Sequence, residues 1–143
     1  MELTGRNVDE FLAALDGPAA DSIRALDAII AEVFAGKARE LWEGVFWGGT
    51  EQSIIGYGHT VQARPGKPTV EWFAVGLARQ KKHISVYVNA ADDGGYLVQR
   101  YTGRLGAVKV GSAALTFASI NALDLDEFRA LLQDAARLTP DAT

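Results

Sequence analysis

The residue pattern changes character near residue 40, and this change limits the fold more than any other feature of the chain. Before it, apolar residues recur every three or four positions, which is typical of amphipathic helices. From Leu41 to about Val88, aromatic and β-branched residues are punctuated by glycine and proline, which is typical of antiparallel strands. We therefore expect helices first and a sheet after them.

The helices are marked by their capping residues. Asn7 stands three residues before a glutamate, a capping-box spacing that satisfies the free amides of a helix start. Gly17-Pro18 ends this short helix, and a second helix is expected to run from there to Gly36. Asp124 repeats the capping-box spacing before an apolar stripe, which predicts a helix at the end of the chain.

The strands are marked by alternation and by turn residues. Ile84, Val86 and Val88 alternate with polar or amphipathic side chains, which indicates that one face is buried. Five strands are predicted, near residues 40–47, 52–61, 70–78, 83–89 and 113–119. A small helix is expected between the last two strands. This order predicts the α+β class, with N- and C-terminal helices packed on one face of an antiparallel sheet of about five strands.

Composition narrows the classes of function. The 143 residues suffice for a single domain, residues 1–143 with a core of about 7–138. The formal charge of −4 argues against nucleic acid or an anionic membrane as partner, because both need a basic face. The absence of cysteine excludes disulfides and thiolate chemistry. No targeting segment and no long apolar run is visible, so we expect a cytoplasmic protein.

Two motifs carry a resemblance to a known family. The segment 72–87 begins with Trp-Phe, has a glycine three residues after the phenylalanine and ends on Ser-Val-Tyr. The segment 105–111 reads Leu-Gly-Ala-Val-Lys-Val-Gly, a Leu-Gly-x-x-Lys-x-Gly pattern. In this order and spacing, the two segments resemble the YdhG-like family, a domain of unknown function. The resemblance implies a frataxin-like fold, and one branch of the family is assigned as intracellular iron chaperones.

An iron-handling role would need converging carboxylates, since hard cations take oxygen ligands. The candidates for such a metal site are Asp9, Glu10 and Asp21. Each lies in the first turn of a predicted helix, where the helix dipole favours an anion without any metal. Both interpretations stay open at this point: a weak iron site, or ordinary helix-start electrostatics.

A ligand site on the open face of the sheet is the second interpretation. Trp72 belongs to a predicted aromatic cluster, whose members are Trp42, Phe46, Trp47, Trp72 and Phe73. An exposed apolar face of this kind can hold a ligand groove or a dimer interface. Tyr57, Trp72 and Lys81 are the candidate ligand-binding residues of this face. The alternative for the aromatic residues is that they pack in the core.

Two further residues are candidates for binding a ligand. His59 is expected to share a strand face with Tyr57, and the alternative is a histidine satisfied by the backbone. Lys109 lies in the glycine-rich stretch 103–112, which invites an anion-binding interpretation but lacks the Gly-Lys-Ser/Thr of a phosphate loop. The stretch 79–83 is the most concentrated basic patch, and its alternative role is to protect a sheet edge.

No grouping typical of a nucleophilic hydrolase is identifiable in the chain. We therefore expect a small binding protein rather than an enzyme, with no cofactor other than iron. Iron handling is the function that the resemblance implies, and the alternative is a small-molecule or protein-interaction module that uses the exposed sheet face. A homodimer, a small molecule or a metal ion are the partners left open.

Overall fold

The computed structural model describes residues 2–46, 50–64, 66–92 and 94–141. Its α-helices are α1 (Val8–Ala14), α2 (Ala20–Val33) and α3 (Leu125–Arg137). Its strands are β1 (Glu2–Leu3), β2 (Arg39–Phe46), β3 (Thr50–Arg64), β4 (Lys67–Arg79), β5 (Ile84–Val88), β6 (Ala91–Asp92), β7 (Gly95–Tyr96), β8 (Lys109–Val110) and β9 (Ala114–Phe117). Two 3-10 helices cover Leu97–Tyr101 and Ile120–Ala122.

The main sheet has seven strands in the order β1-β2-β3-β4-β5-β9-β8, and every neighbouring pair is antiparallel. The strands β6 and β7 form a separate hairpin. The prediction of a frataxin-like sheet of about five strands under terminal helices is therefore wrong. The sequence pattern did not predict the edge strands β1 and β8, because each has only two residues, which are too few to show a period of two.

The capping predictions are confirmed at both helices that carry them. The side chain of Asn7 accepts a 2.9 Å hydrogen bond from the amide of Glu10 at the start of α1. The side chain of Asp124 accepts from the amide of Glu127 at the start of α3. Each bond satisfies one of the amides that an α-helix leaves without an internal partner.

Buried side chains form two clusters, one on each side of the sheet. The larger cluster joins all three α-helices to one face of the central strands, through residues such as Leu26, Phe128 and Leu77. The smaller cluster lies on the other face and consists of Trp42, Ile54, Phe73 and Ala78, with Trp72 and Tyr87 packed against it. The larger cluster thus positions α1 and α2 over the ends of β3 and β4.

The long strand β3 changes its facing pattern at Gly58. This glycine has a φ of +76°, and a Cβ at this position would lie 2.5 Å from Cγ2 of Thr139 on the helical side. Tyr57 also belongs to the helix-side cluster, so two successive residues face the same way, although the pairing with β4 keeps its register across Gly58. His59 then lies on the other face, with its ring centroid 5.9 Å from that of Trp42. The prediction that His59 and Tyr57 share a face is wrong for this reason.

No helix within the described ranges is long and apolar enough to cross a membrane.

Candidate functional site

A cleft of about 860 Å³ lies where α1 and α2 meet the first residues of β3 and the last residues of β4. Its lining residues are Phe11, Leu15, Ile23, Gln52, Ser53, Ile55, Leu77, Arg79, Gln80, Lys81, Lys82 and His83. Pockets that bind small molecules usually measure about 300–1,000 Å³, so the size of this cleft is typical of a ligand site.

The cleft has an apolar floor, and its composition follows from the local structure. Phe11 and Leu15 are four residues apart at the end of α1, so both side chains fall on the same side. Ile55 and Leu77 are register partners of adjacent strands and are both almost fully buried. Ile23 of α2 completes the floor at 2% exposure.

The walls formed by the two helices are tied together by Arg24. Its Nε donates a 3.0 Å hydrogen bond to the carbonyl oxygen of Leu12, and its NH2 group donates to that of Leu15. Both acceptors lie at the C-terminal end of α1, where the carbonyl oxygen of Leu12 also accepts from the amide of Leu15. The cation therefore fixes the end of α1 against α2 and keeps the position of Leu15 defined.

A basic turn forms the rim of the cleft. The amide of Gln80 donates a 2.9 Å hydrogen bond to the carbonyl oxygen of His83, which leaves Lys81 and Lys82 as the two-residue loop between β4 and β5. Arg79 precedes the loop, and its guanidinium donates to the carbonyl oxygen of Asp16. The same turn also lines an adjoining cavity of about 430 Å³ beside Pro18 and Ala19.

The charges on this turn are not neutralised by neighbours. Lys81, Lys82 and His83 are exposed, and Arg79 is exposed as well. Within the described part of the chain, neither the two lysines nor Arg79 forms an ion pair with a carboxylate. The rim therefore carries a local positive charge on a chain whose formal net charge is −4.

The side chain of Gln80 fixes the start of the turn through hydrogen bonds with the neighbouring strands. Its Nε2 donates hydrogen bonds to Oε1 of Gln52, at 3.1 Å, and to the hydroxyl oxygen of Tyr87, at 2.9 Å. Its Oε1 accepts a hydrogen bond from the hydroxyl of Ser85. Burial raises the pKa of Tyr87, and its hydrogen bonds with Gln80 and Ser85 offset part of that rise. Three strand side chains thus fix the residue that begins the basic turn.

A carboxylate next to the cleft wall, that of Glu43, is compensated. Ser53 donates a 2.8 Å hydrogen bond to Glu43, and Arg6 lies 2.8 Å from both oxygens of the same carboxylate. Burial raises the pKa of Glu43, but the hydrogen bonds from Ser53 and Arg6 outweigh this effect and leave the pKa lowered. The carboxylate of Glu43 is therefore in an ion pair, whereas Lys81 and Lys82 of the rim form none with a carboxylate among the described residues.

Only one of the predicted ligand-binding residues lies at this cleft, and that residue is Lys81. Tyr57 is fully buried and donates a hydrogen bond to Asp27 under α2, whereas Trp72 packs on the opposite face of the sheet. The structure therefore does not bring Tyr57, Trp72 and Lys81 together on one sheet face. His59 lies near Trp42 and places its Nε2 3.3 Å from Oε1 of Glu40. Lys109 is exposed on the edge strand β8.

The three candidate metal ligands are dispersed. Asp9 lies 3.0 Å from a guanidinium nitrogen of Arg39, and Asp21 lies 3.3 Å from one of Arg24. Glu10 is exposed in the first turn of α1. Among the residues that the structure describes, no group of three or more histidine and acidic side chains could hold a metal ion. Iron handling stays a prediction that these contacts do not support.

The aromatic cluster is a packed feature of the other sheet face. The ring centroid of Trp42 lies 5.3 Å from that of Trp72 and 5.8 Å from that of Phe73. Gly56 and Gly76 are register partners beneath these rings, where a side chain would collide with Trp42 and Phe73. Trp47, which we expected in the cluster, lies outside the described residues.

Comparison with family models, with curated proteins and with solved structures found no match for this chain. The resemblance to the YdhG-like family therefore stays a prediction.

Proposed function

We propose that this protein binds a small organic molecule in the cleft between the first two helices and the ends of β3 and β4. The observation that carries the proposal is the combination of a cavity of about 860 Å³, an apolar floor and a rim of polar and basic groups. Ligand pockets generally have this composition, because apolar contacts supply affinity and a few polar groups fix orientation.

The lining supports binding rather than acid–base catalysis. Of the described residues around the cleft, Arg79, Lys81, Lys82 and His83 are the titratable ones, and no carboxylate lines it. General acid–base chemistry needs a proton donor and a proton acceptor that are held near one reacting atom. The rim offers cations in an exposed turn, which suits recognition of a ligand better than the transfer of a proton.

The proposal is tested by titrating the protein with octanol, a neutral molecule with an apolar chain, and by following amide and methyl signals in NMR spectra. We expect saturable shifts at Phe11, Leu15, Ile23, Ile55 and Leu77. The proposal would be overturned if octanol, octanoate and octylammonium all gave no saturable shifts, or if the shifts were confined to another surface.

A matched pair of variants locates the binding. Leu15 at the end of α1 and Leu125 at the start of α3 are both leucines at helix ends with some solvent exposure, but only Leu15 lines the cleft. Leu15→Ala should weaken octanol binding roughly threefold, since it removes part of the apolar contact area. Leu125→Ala should leave it unchanged. Equal effects of the two variants would place the ligand elsewhere.

A further inference from the structure

We infer that the ligand of this cleft is an amphipathic organic anion, whose charged head lies against the turn 79–83 and whose apolar body lies on the floor. This inference rests on the proposed function, and it adds the chemical class of the ligand. It follows from the distribution of charge around the cavity.

The cations lie on one side of the cleft. Arg79 borders the cleft directly, and Lys81 and Lys82 follow it in the two-residue loop. Next to Ser53 of the lining, the carboxylate of Glu43 is already paired with Arg6. A ligand in the cleft therefore meets uncompensated positive charge at one end, and charge concentrated at the mouth of a cleft attracts a ligand of opposite sign.

The floor specifies the rest of the ligand. Phe11 and Leu15 are partly exposed and carry no polar side-chain atom, so they supply most of the apolar surface that a ligand can contact. Ile23, Ile55 and Leu77 are apolar as well, but each is at most 2% exposed in the free protein. A fully polar anion such as inorganic phosphate would gain nothing from this surface and would be better solvated at the exposed rim. An anion with an unbranched apolar chain can contact the floor while its head stays at the rim, where it remains partly hydrated.

The turn is held in place before any ligand binds. Gln80 is fixed by hydrogen bonds with Gln52 and Tyr87, and its backbone amide closes the two-residue loop. Less conformational freedom is then lost when a ligand binds, because the start of the loop is already ordered. This arrangement distinguishes the turn from a lysine pair on a free loop.

The test uses three ligands with the same eight-carbon chain and different heads: octanoate, octanol and octylammonium. We expect octanoate to bind roughly three- to tenfold more tightly than octanol, because two exposed charges each contribute modestly. Octylammonium should bind more weakly than octanol. Raising the salt concentration should reduce the preference for octanoate, since exposed charges are screened.

The outcomes separate the two proposals. If octanol binds in the cleft and octanoate binds no better, the inference is overturned and the proposed function stands. If none of the three ligands binds, both fall. If octylammonium binds as well as octanoate, the turn does not select ligands by their charge, and the inference is likewise overturned.

Two double variants assign the preference to the turn. Lys81→Gln with Lys82→Gln removes two positive charges from the rim, and Arg129→Gln with Arg137→Gln removes two from α3. We expect the first pair to reduce the octanoate preference, measured as the ratio of octanoate to octanol affinity, and the second pair to keep that ratio. If both pairs lower the octanoate preference equally, the preference depends on the overall charge of the protein and the inference fails.

Discussion

The hydroxyl of Tyr57 donates a 2.7 Å hydrogen bond to the carboxylate of Asp27, and both residues are buried between α2 and the sheet. Arg39 donates to both oxygens of the same carboxylate, at 3.1 and 2.7 Å. Burial, followed by the neighbouring Asp27, raises the pKa of Tyr57 well above its ordinary value of 10.0. A helix and two strands are therefore joined by one buried carboxylate.

This arrangement predicts unequal costs for removing its members. Tyr57→Phe should lower the free energy of unfolding by about 1–2 kcal/mol, because one hydrogen bond to the carboxylate is lost. Asp27→Ala should cost about 3 kcal/mol, since it leaves the hydroxyl of Tyr57 buried without its acceptor and Arg39 without its main partner. The matched control is Asp21→Ala, on the same helix but fully exposed, for which we expect less than about 1 kcal/mol. Urea unfolding measures all three, and equal costs at the two aspartates would contradict the prediction.

Stability at alkaline pH should depend on Tyr101. Burial and then the adjacent Asp134 raise the pKa of Tyr101 from 10.0 to about 12. Because the folded pKa lies above the unfolded one, the stabilisation from the protonated phenol is complete below pH 10 and is lost as the pH rises toward 12. We expect the stability difference between the natural protein and Tyr101→Phe to shrink over this interval, as measured by urea midpoints. A constant difference across it would show that Tyr101 does not titrate with a raised pKa.

The aromatic face should not tolerate a side chain at Gly56. A Cβ there would lie 2.6 Å from Nε1 of Trp42 and 2.8 Å from Cβ of Phe73, closer than real contacts allow. Gly56→Ala should therefore cost about 1–3 kcal/mol of folding stability through overpacking. Gly111→Ala is the control, because its nearest neighbour would be at 3.8 Å. Thermal unfolding of the two variants decides the matter, and an unchanged midpoint for Gly56→Ala would mean that the rings move aside without cost.

The sequence predicted those parts of the fold that have strong local signals. The caps at Asn7 and Asp124 are confirmed, because a side-chain oxygen three residues before the amide that it accepts from is a local feature. The central strands were also placed correctly to within a few residues, except at the β3–β4 turn, since alternation persists over their length. The edge strands and the change of face at Gly58 depend on distant partners, so no local pattern revealed them.

The candidate site was predictable only in part. The basic stretch 79–83 was visible in the sequence, but its role depends on Phe11 and Leu15, which lie more than sixty residues earlier and read as ordinary helix core. Tyr57 and Trp72 were assigned to one face, but the sequence alone does not show how strands 52–61 and 70–78 are aligned. In the observed register Tyr57 pairs with Val75 and Trp72 pairs with Thr60, so the two side chains lie on opposite faces.

The selectivity of the cleft should depend on the uncharged side chain of Gln80, because its hydrogen bonds fix the start of the turn. Gln80→Met keeps much of the side-chain volume and removes the hydrogen bonds with Gln52, Ser85 and Tyr87. We expect the ratio of octanoate to octanol affinity to fall at least about twofold, because the lysine loop loses its fixed start. The same variant should raise the pKa of Tyr87 further, since its hydrogen bond with Gln80 holds that pKa down. A tyrosinate absorbance titration reports this second effect, and an unchanged ligand preference alongside a shifted Tyr87 would show that the turn holds its shape without Gln80.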